Sequence, residues 1–375
     1  MPTIAAPRSG GAGISVLRDP PRLALVVALA LLIAPTKPTS LALVFMAAVV
    51  VALLASTQRP VARATLLLLL VGALATRYEL RQRVGSDVLD VTSAAIDRVL
   101  AGLNPYGIPY EASRPPGAPF PYGPLAILWY IPVADVPRLA EILSASIVAS
   151  MLALQGRFLG LAIYATAPAI VNTSVDGSND TTLGLLIALA FALASFRPVV
   201  AGAVLAAAVA FKLSAAAWVP AFLLWGGWRV AASFGAASLL VWSPVLVVWG
   251  PAAFLESVAR ANSIHREIVW SLGYVLRDWV GETAVRALDS LRLVLGGLAA
   301  AWTLPFVRIG GWLGAATREA ALDRVIVAGT VVYLVTLFSG TWGTFAYFAA
   351  IAPVLCLRVD DWLGLPTSPA IIRAR

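Results

Sequence analysis

The chain has 375 residues, of which 60% are hydrophobic and only 12% charged. A soluble globular domain carries roughly 25% charged residues, so a water-soluble fold is excluded. The net charge of +8 does not mark a nucleic-acid binder, because the basic residues are scattered between apolar runs rather than gathered in a stripe.

Charge-free runs recur at 23–35, 41–56, 64–76, 181–195, 230–249 and 325–339. Several fall short of the ~20 residues of a simple span, so some helices extend into polar flanks or stop part-way. The first run follows Arg18 and Arg22 and resembles a signal-peptide core, but it reads as a true span because its removal would upset the topology. With the N-terminus in the cytoplasm, passes near 23–35, 41–56 and 64–76 place the segment 77–120 outside. Arg59 and Arg63 then fall inside, as the positive-inside rule requires.

Further passes are expected near 138–155, 158–171, 181–196, 198–212, 213–228, 230–249, 288–306, 325–339 and 343–358. About twelve spans result, with both termini cytoplasmic. The expected fold is a single all-α polytopic membrane domain over 1–375, with two long external loops, 77–120 and 250–287. The stretch 121–134 is assigned as a re-entrant half-helix bounded by Pro124 and Pro132. A full crossing there would place Arg157, Arg197, Arg229 and the group Arg308, Arg318 and Arg324 outside, and non-spanning backbone at membrane depth requires protein or a wet cavity around it. Fourteen of the nineteen carboxylates then face outward, which puts the polar chemistry on that side. The strong preference for Arg over Lys and the abundant alanine point to a GC-rich prokaryote and hence a plasma membrane.

In the first external segment, Ile96, Val99, Leu100 and Leu103 form an apolar face at helical spacing, which predicts an amphipathic helix at the interface. Asp87 and Asp90 stand at its start, either as helix caps or as a base that removes a proton from an attacking hydroxyl. Asn104-Pro105-Tyr106 and 119–125 follow. Their prolines fix the loop, and Tyr106 and Tyr122 offer faces for a sugar ring or serve as interfacial anchors. The turn 176–180 contains Asn179 and Asp180. Lys212 lies between two apolar runs, where an ionisable side chain is functional by default unless it snorkels to the surface. His265, the only histidine, sits beside Arg266 in the second loop, facing lipid headgroups or a phosphate.

These segments, in order, resemble the bacterial multi-pass mannosyltransferase-like branch of the GT-C glycosyltransferases. Asp87 precedes a G-x-[ND]-P-Y motif formed by Gly102, Asn104, Pro105 and Tyr106. An F-x-Y-x-P-L motif follows at Phe120, Tyr122, Pro124 and Leu125. The Asp176–Asp180 segment resembles that branch's G-Q-x-N, and Phe211-Lys212-Leu213 resembles its K-x-x-P helix break, with Pro220 standing later than the family's proline. The segment 338–347 resembles S-P-x-S-W-x-x-H without the proline and the histidine.

The resemblance implies a polyprenyl-phosphate sugar donor, mannose or arabinose, and an external lipid or glycan acceptor. It further implies inversion, with Asp87 as base and Asp90 as its substitute. Lys212, Arg266 and His265 would hold the donor phosphate, where negative charge grows as the glycosidic bond breaks. Asn104, Tyr106, Tyr122, Asn179 and Asp180 would shape the sugar or acceptor site. No cofactor is expected, with a carboxylate-bound Mg²⁺ as the open alternative. Cys356 is expected to be a small apolar side chain. Two rival functions stand beside this one: a secondary transporter or flippase of a lipid-linked sugar, which calls for intramembrane carboxylates or an inverted repeat, and a noncatalytic membrane scaffold.

Overall fold

The computed structural model describes residues 59–81, 85–263, 271–312, 318–340 and 343–363. Among the described residues there are helices and connecting turns but no strand. In chain order the helices are α1 (Arg59–Glu79), α2 (Val88–Leu100), α3 (Pro124–Tyr130), α4 (Arg138–Leu154), α5 (Phe158–Thr166), α6 (Pro168–Thr173), α7 (Asp180–Ala194), α8 (Pro198–Phe211), α9 (Val219–Trp249), α10 (Pro251–Ser263), α11 (Leu272–Trp312), α12 (Arg318–Phe338), α13 (Ala346–Cys356) and α14 (Val359–Trp362). A 3₁₀ segment, Leu213–Trp218, separates α8 from α9.

Three stretches are long and apolar enough to cross a membrane: Leu213–Trp249, Leu272–Val307 and Ala320–Phe338. The bent pair Pro124–Val133 and Arg138–Leu154 supplies a fourth if it is counted as one span. Their outer surfaces expose Leu239, Leu240, Val247 and Leu298. Water penalises such continuous apolar faces, whereas lipid accepts them.

The described helices do not give twelve simple spans. Helices α7, α8 and α13 are apolar but hold 15, 14 and 11 residues. At 1.5 Å per residue they are about 17 to 23 Å long, short of the ~30 Å hydrocarbon core. The runs expected to span near 23–35 and 41–56 lie outside the described residues.

The backbone shows what stops the helices. α8 ends where Lys212 turns extended, with φ −148° and ψ 122°. α9 is interrupted at Gly227, in the left-handed region at φ 71°, at the end of the pass expected at 213–228. The second long loop is largely helical, as α10 and the beginning of α11, with a break at Gly281.

The half-helix expected over 121–134 is present as α3 and its short 3₁₀ continuation, standing at 101° to α4. Pro124 at its first turn suits a helix start. The Gly123 N–H donates to the Phe211 carbonyl at 3.2 Å, and a Cβ at Gly123 would lie 2.0 Å from the Ala210 carbonyl oxygen. The half-helix therefore enters against the end of α8 at a distance that only glycine permits. Gly123→Ala is expected to destabilise the fold by about 1–3 kcal/mol, read as a lower midpoint in thermal unfolding of the detergent-solubilised chain. An unchanged midpoint would contradict this packing.

The amphipathic helix is also present, but with a different buried face. α2 buries Leu89, Val91, Ala95 and Ile96, while Leu100 and Leu103 are exposed. The helix ends at Leu100 and the chain reverses at Gly102, φ 74°, so Leu103 does not continue its stripe.

Charged groups collect at two opposite ends of α12 and α13. At one end the Asp360 carboxylate accepts the Leu159 and Gly160 N–H groups at 3.0 and 2.9 Å and so caps α5. There Arg157 pairs with Asp361, and Arg358 reaches Asp323 at 2.7 Å. Segments expected on the cytoplasmic side thus meet one another. Cys356 is buried, in keeping with an apolar role. At the other end lies a large cavity lined by charged side chains.

Candidate functional site

The two long segments expected outside meet over one end of the bundle. The buried Tyr106 ring packs on Phe120, Trp249 and Phe254, with centroids 5.8, 6.1 and 5.2 Å away. The Gly107 N–H donates to Ser257 Oγ at 2.7 Å, which joins the first segment to α10. Asn104 Oδ1 accepts the Tyr106 N–H at 2.9 Å, an Asx turn. Asn104 and Tyr106 therefore build the roof and do not line the cavity, so the sugar-contact roles expected for them are replaced by structural ones.

Asp87 occupies the N-cap position of α2, yet its side chain makes no cap bond. That duty falls to the turn 176–177: the Leu89 N–H donates to the Gly177 carbonyl at 2.9 Å, while the Gly85 and Ser86 N–H groups donate to the Asp176 carbonyl at 3.1 and 2.8 Å. Gly177 has φ +99°, and a Cβ there would stand 2.7 Å from the Ser86 carbonyl oxygen. Asp87 Oδ2 instead accepts the Arg114 backbone N–H in a short bond, and the residue lines the cavity. Asp90 is exposed on the outer surface of α2 and is not among the lining residues, which removes it as a substitute base.

Burial pushes the Asp176 carboxyl up to about 6, against the opposing pull of its bonds from Ser178. The folded chain then holds this proton to higher pH than the unfolded chain, whose Asp titrates near ~4. The contribution to stability is present below about pH 4 and is lost as pH rises through about 6. Asp176→Asn keeps an oxygen for the Ser178 N–H and is expected to raise the melting temperature at pH 8 but not at pH 4. Equal melting temperatures at pH 8 would contradict the assignment.

Lys212 is the centre of the site. Its Nζ donates to Asp180 Oδ1 at 2.7 Å and to Asn179 Oδ1 at 3.0 Å, and it lies 5.4 Å from the ring centroids of both Tyr122 and Tyr347. A desolvated ammonium over aromatic faces gains cation–π energy in addition to the ion pair. Asp180 and Asn179 are buried, and Asn179 Nδ2 has no acceptor among the described residues. The extended backbone at Lys212 turns this side chain off the helix axis, so the lysine reaches the cavity from a helix break.

The cavity has a volume of about 580 Å³. Asp87, Tyr122, Asp180, Lys212, Arg292 and Tyr347 all line it. Arg292, which sequence reasoning missed, comes from α11 and is nearly buried; its guanidinium donates to Asn262 Oδ1 and, at 3.3 Å, to Asp289 Oδ1. Its only sequence signal is Asp289 three residues earlier. His265 and Arg266 lie outside the described residues. Among the described residues no group of three or more His, Cys, Asp or Glu side chains is arranged to hold a metal.

A second, smaller hollow of about 250 Å³ adjoins the first and shares Leu213, Ser214, Leu293, Thr336 and Leu337 with it. Its remaining wall is made largely of small and apolar residues, among them Ala216, Ala217, Gly296, Gly297 and Ala300. A chamber lined by two cations and three carboxylates thus continues into an apolar groove between α11, α12 and the 3₁₀ segment. Comparison with protein-family models, curated proteins and solved structures finds no match for this chain.

Proposed function

We propose that this chain is a membrane glycosyltransferase that moves a sugar from a polyprenyl-phosphate donor to an external lipid or glycan acceptor, with inversion. The observation that carries the proposal is one chamber lined by three carboxylates, Asp87, Asp176 and Asp180, and two largely buried cations, Lys212 and Arg292, which opens into an apolar groove; Asp180 is paired with Lys212 and Asp176 is held in the turn, which leaves Asp87 to act as a base. A phosphate on a hydrocarbon chain needs both halves: charge-assisted hydrogen bonds for the head and an apolar path for the tail.

In the proposed reaction the acceptor hydroxyl attacks the anomeric carbon while the Asp87 carboxylate takes its proton. The bond from the anomeric carbon to the phosphate oxygen breaks, and its electron pair leaves with the phosphate, where Lys212 and Arg292 stabilise the growing charge. A single displacement inverts the anomeric centre, and Asp87 then returns its proton to solvent. Tyr122 and Tyr347 provide the faces on which the sugar rests. Arg292 joins Lys212 in the role expected from sequence for Arg266 and His265, which lie outside the described residues, and no step is assigned to a metal. The same reading puts the chamber on the outer side of the plasma membrane, both termini in the cytoplasm, and the short helices among about twelve passes of a GT-C-like fold, with mannose or arabinose as the sugar.

One observation favours the rival transporter or flippase. Glu141, counted with the external carboxylates from sequence, is a buried side chain within α4, and buried carboxylates couple ions in transporters. Reconstituting the full chain in vesicles with radiolabelled polyprenyl-phosphate sugars and candidate acceptors separates the two. Label in the acceptor is expected; sugar-lipid crossing the bilayer with no label transferred would favour the rival.

A further inference from the structure

Helix α7 begins with an arrangement that ordinary capping does not explain. Asn179 is its N-cap residue, and an N-cap asparagine normally accepts the N–H of the second or third helical residue. Here its side chain makes no cap bond, because Oδ1 is given to Lys212 at 3.0 Å. The third N–H, that of Thr182, donates instead to Glu141 Oε2 on α4 at 3.0 Å. Glu141 Oε1 accepts the Tyr130 hydroxyl of α3 at 2.6 Å and also the Thr182 hydroxyl, whose oxygen lies 2.8 Å from Ser144 Oγ. Tyr130, Glu141, Ser144, Asn179 and Thr182 are all buried.

We propose that Glu141 is a positioning residue for Lys212: by capping α7 from a neighbouring helix, it leaves Asn179 and Asp180 to hold the lysine. A carboxylate suits this place because the helix N-terminus is electropositive. The same side chain ties down α3, which follows directly on Tyr122, so the two walls that meet Lys212 are fixed by one buried group. Glu141 does not line the cavity, and both of its oxygens are engaged inside the protein, which separates this role from ion coupling. Without Glu141, the Asn179 side chain at the N-cap position is placed to accept the Thr182 N–H, and its return to the cap strips one partner from Lys212. The role does not depend on which ligand the chamber takes.

Lys212 can be read directly, since the chain has one other lysine, Lys37. The full chain in lipid is labelled with a limiting amine-reactive ester, and the ratio of Lys212 to Lys37 adducts is measured by mass spectrometry. Glu141→Ala is expected to raise that ratio about fivefold, the equivalent of one hydrogen bond lost from the ammonium. Asn179→Ala is expected to raise it similarly, and the double variant no further than either single change, because both remove the same bond. An unchanged ratio in Glu141→Ala, or additive increases in the double variant, would overturn the proposal. If Glu141→Ala fails to fold, Glu141→Met serves: it fills the space of the glutamate and offers the Thr182 N–H no oxygen. A ratio equal to wild type in that variant overturns the proposal as well. Sugar transfer is not part of the readout, so a failed transfer assay and a failed labelling assay report on different claims.

Discussion

Asp87→Asn is expected to lower sugar transfer by about 10²–10⁴-fold, the range for loss of a positioned general base, while the chain keeps its fold and its thermal midpoint. The substitution isolates charge from architecture. Asp87 accepts the Arg114 N–H through Oδ2, and an asparagine carbonyl can accept the same bond, so the loop 113–119 keeps its tether. α2 keeps its cap too, because the Gly177 carbonyl rather than Asp87 receives the Leu89 N–H. What disappears is the negative charge, and with it the capacity to take a proton. Asp90→Asn is the matched control: that carboxylate is exposed and outside the cavity, and transfer is expected within about twofold of wild type. A large loss with Asp90→Asn and none with Asp87→Asn would reverse the assignment.

The second large effect is expected at Lys212. Its ion pair with Asp180 is largely withdrawn from solvent, the side chains being 13% and 3% exposed. Removing one partner leaves an uncompensated buried charge, at about 3–5 kcal/mol. Lys212→Met should therefore lose both stability and transfer. Lys212→Met with Asp180→Asn removes both charges and is expected to recover most of the stability but none of the transfer, since the donor phosphate still lacks its ammonium. Unfolding midpoints in detergent report the first quantity and initial transfer rates the second. Recovery of transfer in the double variant would show that Lys212 serves the fold and not the donor.

Much of this site was legible in the sequence because it is written in residues that break patterns. Pro124 after Gly123 marks the start of α3, and Lys212 inside an apolar run marks the break after α8. The Asp-Gly pair at 176 and 177 marks the turn that docks on α2. Each is a local signal with a local cause. The parts that were missed depend on contacts between distant positions. Glu141 looks like one more acidic residue at the edge of a helix, and its partners Tyr130 and Thr182 stand 11 and 41 residues away. Arg292 looks like an ordinary basic residue of α11 until the bundle closes around it.

The buried face of α2 escaped the sequence for a related reason. In a chain with apolar residues on nearly every helix face, hydrophobic periodicity no longer separates the inside from the lipid-facing outside. Helix length is likewise set by backbone breaks at Lys212, Gly227 and Gly281 rather than by where charges stop.

The most direct measurement is transfer of radiolabelled sugar from a panel of polyprenyl-phosphate donors by the purified full chain in lipid, run side by side with Asp87→Asn and Asp90→Asn. Transfer from at least one donor by wild type and Asp90→Asn, abolished by Asp87→Asn, is the expected result and names the sugar. Transfer that survives Asp87→Asn undiminished would contradict a chamber in which Asp87 is the base.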